Sequence, residues 1–497
     1  MESFWNKNLV NKKQYPEISE NIEVSVCIIG GGITGLSTGY YLSKETDIVI
    51  LEKDRICNST SGANTGKLTS QHGLFYDYLI NSNGIDFAKK YFEANEKAIN
   101  NIEEIIKIEK IDCDFKRENS YVFTRSDRYI EEIKSEKKAV DKIFKDKAKV
   151  MKEIQVPIQI ESAIEFENQA KFNPVKYCYG LANCIIKNRG RIFENSIATD
   201  IKSVGDKYEI IVNNYKIIAK NIVFATRYPT INIPGYYFLK MYQSSSYSVV
   251  ADVKDDLFEG MYISADMPII SFRIIEQDGK KLLLAVGYDY KTGEEQTTDG
   301  GKNLENLIKN MYPNAEFLYR WNAEDCISLD KIAYIGEYSN LMKNVYIATG
   351  FNKWGLTTSN IAANIIKDKI LERKNEYEEI YKSTRLEPIK NIEEVKNMLK
   401  ETTVSLILSK FKLPKEKLKD VKNGEGKIVE IDNQKVGIYK NENGEIFAVK
   451  PVCTHLGCEL SFNNFLKIWE CPCHGSKFNY EGKAIEVPGI KDLEKIL

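Results

Sequence analysis

Histidine is the scarcest chemically active residue in this chain, with three copies in 497 residues, at positions 72, 455 and 474. Tryptophan (4), methionine (8) and proline (12) are also sparse. The formal net charge is only −1 at pH 7, so no excess of either sign suits the chain to nucleic acid or to an anionic membrane surface. No run approaches the ~18 apolar residues that a bilayer span needs, and the late stretch TTVSLILS (402–409) is too short. The opening MESFWNKNLVNKKQYPEISENIE has an early acid and no apolar core, so it does not read as a secretion signal, and a cytoplasmic protein is expected. Internal repeats and low-complexity tracts are missing as well.

What is present is an ordinary globular composition, 43% hydrophobic and 28% charged, in a chain long enough for two or three domains. Ten cysteines in a chain expected to stay in a reducing compartment point to metal or redox chemistry more than to a disulfide scaffold. Cys27, Cys57, Cys113, Cys178, Cys184 and Cys326 are scattered and read as buried small hydrophobes. The other four cluster near the end, beside two of the three histidines.

The strongest early signal is EVSVCIIGGGITGLSTGYYLSKETDIVILEK, residues 23–53. A β-rich run, glycines, a helical stretch and a second apolar run make a βαβ unit with G-x-G-x-x-G at Gly30, Gly32 and Gly35. Such glycines allow a tight turn, let backbone N–H groups approach a pyrophosphate and permit close helix–strand packing. Gly31, Ile33 and Thr34 fill the turn, and Glu52, followed by Lys53, closes the second strand where a ribose would be held. Two amphipathic helices are expected next, one burying Tyr91, Ala94, Ala98, Ile102 and Ile105, the other Tyr129, Ile133, Val140 and Phe144. Hairpins are expected around Asn213–Asn214 and Asp278–Gly279. Near residue 350 a strand, a Gly-rich loop and a helix capped by Thr357, Thr358 or Ser359 should follow one another. A charged stretch then reads as a boundary, and beyond Pro414 short strands suggest a small β-domain.

The segment 23–53, SGANTGKLTSQHG (61–73), RWNAEDCISLDKIAYIG (320–336) and YIATGFNKWGLTTS (346–359) together resemble the D-amino-acid oxidase/dehydrogenase, glycine-oxidase-like superfamily of FAD enzymes. The resemblance implies an α/β Rossmann-type FAD domain at residues 1–385, with FAD-binding parts at about 20–80, 150–230 and 320–385. An interleaved α+β substrate domain would take about 85–150 and 230–320. It implies FAD contacts from Ser61, Gly62, Asn64, Thr65, Ala225, Thr226, Gly350, Trp354, Gly355, Leu356 and Thr357. The helix after Gly355 would be aimed at the flavin pyrimidine ring, where reduced flavin is anionic. One departure is ATRYP (225–229) where the family usually has ATG.

CTHLGCEL (453–460) and CPCHGS (471–476) each offer one cysteine and one histidine, the ligand set of a Rieske [2Fe–2S] cluster from Cys453, His455, Cys471 and His474. The competing structural zinc site fits these spacings poorly. Residues 415–497 resemble respiratory-type Rieske domains, a small all-β unit joined here by a linker at 386–414. That resemblance implies a Cys458–Cys473 disulfide, a covering loop at EVPGI (486–490), and a hydroxyl from Ser476; Phe478 stands where the relatives have a tyrosine.

Rieske oxygenases need a second iron held by two further histidines, and only His72 is left. A reductase with an NADH domain would need a second glycine-rich βαβ unit mid-chain, which is missing. The expectation is therefore a FAD-dependent dehydrogenase that oxidises a small amine or amino acid and passes electrons singly through the cluster to an unidentified acceptor. An O₂-using oxidase of the same fold and a redox sensor without turnover stay open. The candidate catalytic residues are Arg273 as a carboxylate clamp, Lys353 beside the reduced flavin, and His72 and Lys67 along the flavin face.

Overall fold

The computed structural model describes residues 2–10, 12–229, 235–385, 414 and 416–496. The expected linker, Pro414 apart, and the TTVSLILS stretch lie outside the described residues. Among the described residues no helix is long and apolar enough to cross a membrane.

Strands form where the chain is apolar on both sides. Val26, Cys27 and Ile28 are fully buried, which suits Ile22–Ile29 to the middle of a parallel sheet covered on both faces. That sheet runs Tyr334–Ser339, Met342–Thr349, Tyr215–Phe224, Ile22–Ile29, Ile48–Leu51, Arg191–Phe193. Along that order it is parallel except for the first pair, and Lys207–Val212 and Ala198–Val204 extend it as antiparallel strands beside Tyr215–Phe224. The helix Ile33–Leu42 packs against both Pro174–Lys187 and Gly355–Ile370, so early and late parts of the flavin-binding region meet beside the glycine-rich turn.

A second sheet is built around the antiparallel strands Glu316–Ser328, Met241–Asp252, Lys280–Lys291 and Ile270–Gln277. It also takes in Lys116–Thr124, Ser162–Lys171 and Lys67–Leu68, so its strands come from a wider stretch of chain than 85–150 and 230–320. Both expected hairpins are present, with Asp278 and Gly279 at φ 50° and 77°, the paired positive values of a primed turn. Helix Ile85–Glu109 buries the five residues expected of it. Helix Ile130–Ile143 buries Ile133 and Val140, but Tyr129 and Phe144 fall outside it. A 3-10 turn precedes the helix, and the chain leaves it extended at Phe144, which is 55% exposed.

The C-terminal part folds as two small antiparallel sheets, Glu425–Val449 and Ser461–Glu486. One apolar core lies around Val429 and Ile438; the other holds Trp469 and Phe478 together with Cys453, Cys458, Cys471 and Cys473.

Candidate active site and iron–sulfur centre

At the glycine-rich turn the close packing is literal. A Cβ at Gly35 would sit 1.9 Å from the Gly30 carbonyl oxygen, and Gly30 itself has φ 112°. Glu52 accepts hydrogen bonds from the backbone N–H of Gly31 (2.8 Å) and Asp54 (3.0 Å), while burial pushes its carboxyl up. Two cavities meet at this turn and share Gly32, Ser61, Ala225 and Arg227. The first also takes in Gly30, Glu52, Lys53 and Thr226. The second runs along Ile33, Thr34, Asn64 and Thr65 to Gly350, Trp354, Gly355, Leu356 and Thr357. Gly31, Gly35 and Gly62 line neither; Gly62 is turned toward Ser3, whose hydroxyl donates to its carbonyl.

The helix Gly355–Ile370 begins without the expected side-chain cap. Thr358 donates back to the Trp354 carbonyl (2.8 Å) and Ser359 to that of Gly355. The first-turn N–H groups, uncapped by any side chain, lie where Gly355, Leu356 and Thr357 line the second cavity. An uncapped N-terminus carries positive potential suited to an anionic group.

A third cavity of about 370 Å³ shares Asn64, Thr65, Lys67, Asp325, Lys353 and Trp354 with the second. Lys353, at φ 73° on this shared wall, ion-pairs at 2.9 Å with Asp289, which lines the third cavity. His72 stacks on Trp354, with ring centroids 4.5 Å apart, and hydrogen-bonds Tyr91 and the Thr69 carbonyl. Burial lowers its pKa to about 3, so the ring is neutral. Lys67 donates to the Tyr262 carbonyl (3.0 Å) and to Ser271, and burial with the nearby Arg273 charge pulls its pKa down to about 7.

Arg273 is the correction among the candidates. It is 3% exposed, and its guanidinium donates to the carbonyls of Gly66 (2.6 Å) and Phe172. It lines none of these cavities and braces the turn behind Lys67 instead.

The two cysteine–histidine loops are hydrogen-bonded alike. In each the cysteine N–H donates five residues on, Cys453 to Cys458 and Cys471 to Ser476. In each a glycine at positive φ, Gly457 or Gly475, donates back to the cysteine carbonyl at 2.9 Å. The loops face each other, with the His455 and His474 rings 5.0 Å apart and Cys453 and Cys471 buried in one apolar core. Burial lowers the two imidazoles to about 4 and about 3, the neutral form a metal needs. Cys458 and Cys473 are joined by a disulfide. The Cys471 sulfur lies within 4.8 Å of both disulfide sulfurs, but bonded sulfurs cannot serve as thiolate ligands.

Sequence reasoning missed the joint between the two sites. Arg227 occupies the glycine position of the usual ATG and keeps a glycine-like φ of 62°. It lines both flavin-side cavities and ion-pairs with Glu486 of the proline loop at 3.0 Å. Glu486, Val487 and Ile490 close the first cavity from the C-terminal side. Lys477 pairs with Glu470 of its own domain (3.1 Å) and with Glu324 across the boundary, and Gln243 donates to the His474 and Val487 carbonyls. The ATRYP departure was the one visible signal.

A dinucleotide-binding sheet, a cavity at its turn and a docked β-domain with paired Cys–His loops define a flavoprotein oxidoreductase with an attached iron–sulfur module. The chain belongs to the FAD dependent oxidoreductase family, which matches residues 25–369, and residues 412–496 match the Rieske [2Fe-2S] domain. It binds FAD and a [2Fe–2S] cluster. It is 33% identical to the putative Rieske 2Fe-2S iron-sulfur protein YhfW of Bacillus subtilis (strain 168), over all of this chain and 97% of that one. Gamma-glutamylputrescine oxidoreductase of Escherichia coli (strain K12) is 23% identical over 71% of this chain and 85% of its own length. The crystal structure of glycine oxidase from Geobacillus kaustophilus superposes with a TM-score of 0.63, covering 73% of this chain and 99% of that one. At 17% identity that likeness is one of fold.

Proposed function

We propose that this protein is an amine dehydrogenase in which the cavity beside Lys67 holds the substrate and the C-terminal domain carries electrons away. Cys453, His455, Cys471 and His474 hold the cluster; the Gly30–Gly35 turn, Glu52 and the Gly355 helix hold FAD. The observation that carries the reading is the third cavity, which shares a wall with the flavin-side cavity and is lined by Glu132, Asp289 and Asp325 with no arginine. Lys353 pairs with Asp289, which leaves Glu132 and Asp325 to recognise a cationic amine. With Arg273 tied to backbone carbonyls, a substrate carboxylate is not required. Hydride leaves only a neutral amine, and Lys67, with a pKa of about 7, takes the amine's proton. Bound FAD supplies the hydride acceptor and the cluster a one-electron outlet. The amine substrate in the Escherichia coli relative's name is consistent with this reading.

The test is anaerobic titration with small amines, with and without a carboxylate. Flavin bleaching followed by cluster reduction is expected for amines; inertness toward every amine would overturn the assignment. Lys67→Met should slow flavin reduction by roughly 10²-fold or more and flatten its pH dependence near 7. An unchanged rate would remove Lys67 from the chemistry.

A further inference from the structure

The turn that carries Arg227 continues straight into the iron–sulfur pocket. Tyr228 is 1% exposed, and its ring lies 6.1 Å from that of His455 and 5.8 Å from that of His474. Its hydroxyl is buried with no hydrogen-bond partner among the described residues. A buried, unsatisfied hydroxyl is costly, so its retention asks for an acceptor. On the C-terminal domain's own strand, Phe478 packs among the same cysteines, fully buried, and has no polar atom to offer. Ser476, just before that strand, is fully buried, and its hydroxyl accepts from the Gly489 N–H at 2.9 Å.

We propose that Tyr228, carried by the flavin domain, donates a hydrogen bond across the domain boundary to a sulfur of the iron–sulfur centre. The proposal rests on the ligand assignment above. A donor to sulfur favours the reduced, more negative centre and raises its reduction potential. The potential then depends on docking. Lys477 between Glu324 and Glu470, Arg227 with Glu486, and Gln243 with the His474 carbonyl hold the ring in place. The centre is most readily reduced when its domain sits against the flavin cavity.

The experiment uses full-length holoprotein carrying Tyr228→Phe, which keeps the ring and removes the hydroxyl. Protein-film voltammetry gives the cluster's midpoint potential, and hyperfine spectroscopy of the reduced cluster in H₂O and D₂O counts exchangeable protons near the sulfurs. The midpoint should fall, shifting the electron partition between flavin and cluster by up to about tenfold, or ~59 mV for a one-electron couple. One exchangeable proton coupling should vanish, distinct from the one lost in Ser476→Ala. An unchanged midpoint with all couplings retained would overturn the proposal. A more acidic fluorotyrosine at 228 donates more strongly and should move the midpoint the other way; no movement there would also overturn it, even if Tyr228→Phe loaded poorly. Neither measurement needs a substrate, so failure of the amine reading leaves the test intact. Iron retained after Cys453→Ser and His474→Ala would instead sink the ligand assignment.

Discussion

Replacing Lys477 by methionine keeps all but the last atom of the side chain's length and removes its charge from between two buried carboxylates. Lys477 is 3% exposed, Glu470 0% and Glu324 5%. Burial disfavours its ammonium, yet the attraction of Glu324 and Glu470 outweighs this and raises its pKa. Without the ammonium, Glu324 on the flavin side and Glu470 on the cluster side repel each other across the boundary. Breaking a buried ionic set by removing one partner costs about 3–5 kcal/mol. Glu324 is already pushed up by burial, so in the variant it should bind a proton at still higher pH. A carboxyl whose folded pKa is raised contributes stability at low pH that is lost as pH rises through that value. The docking defect should therefore be small near pH 5 and grow toward pH 8, by up to ~1.4 kcal/mol per pH unit for one proton. The assay is hydrogen exchange of strands Lys477–Asn479 and Ala484–Glu486 at both pH values, since global unfolding of a two-domain chain is not a two-state quantity. Glu324→Gln placed on Lys477→Met should restore part of the protection. Equal protection in wild type and variant at pH 8 would refute the reasoning.

Gly35→Ala should abolish flavin retention, read as the flavin-to-protein ratio after gel filtration, because its Cβ would fall 1.9 Å from the Gly30 carbonyl oxygen. His72, neutral down to about pH 3 in the folded chain, should make stability fall between pH 6.5 and pH 3 as the unfolded chain takes up a proton. Hydrogen exchange of helix Ile85–Glu109, which carries the Tyr91 partner of His72, should show a shallower pH dependence of protection in His72→Gln, by roughly one proton.

Much of the chemistry was legible because it is local. The G-x-G-x-x-G turn, the C-x-H and C-x-x-H pairs and the two hairpin turns are contiguous segments whose spacing is dictated by backbone geometry, and a single chain displays them directly. Local patterns misled where a side chain had two competing partners. Thr358 and Ser359 read as helix caps, but one turn inside the helix their hydroxyls reach back to carbonyls instead. Arg273 sits among apolar strand neighbours, and period-2 alternation cannot say whether that face meets a cavity or the carbonyls of Gly66 and Phe172.

The amino-acid sequence by itself determined that this chain carries a flavin site, an iron–sulfur site and too little histidine for a second iron centre. Only the tertiary structure decided how the two sites touch. Arg227 meets Glu486, Tyr228 meets His455 and His474, and Glu324 meets Lys477, each pair more than 150 residues apart. Charges and rings so distant along the chain leave no periodicity or spacing to read. They are matched by the shape of the docked surfaces, which exist only once both domains have folded.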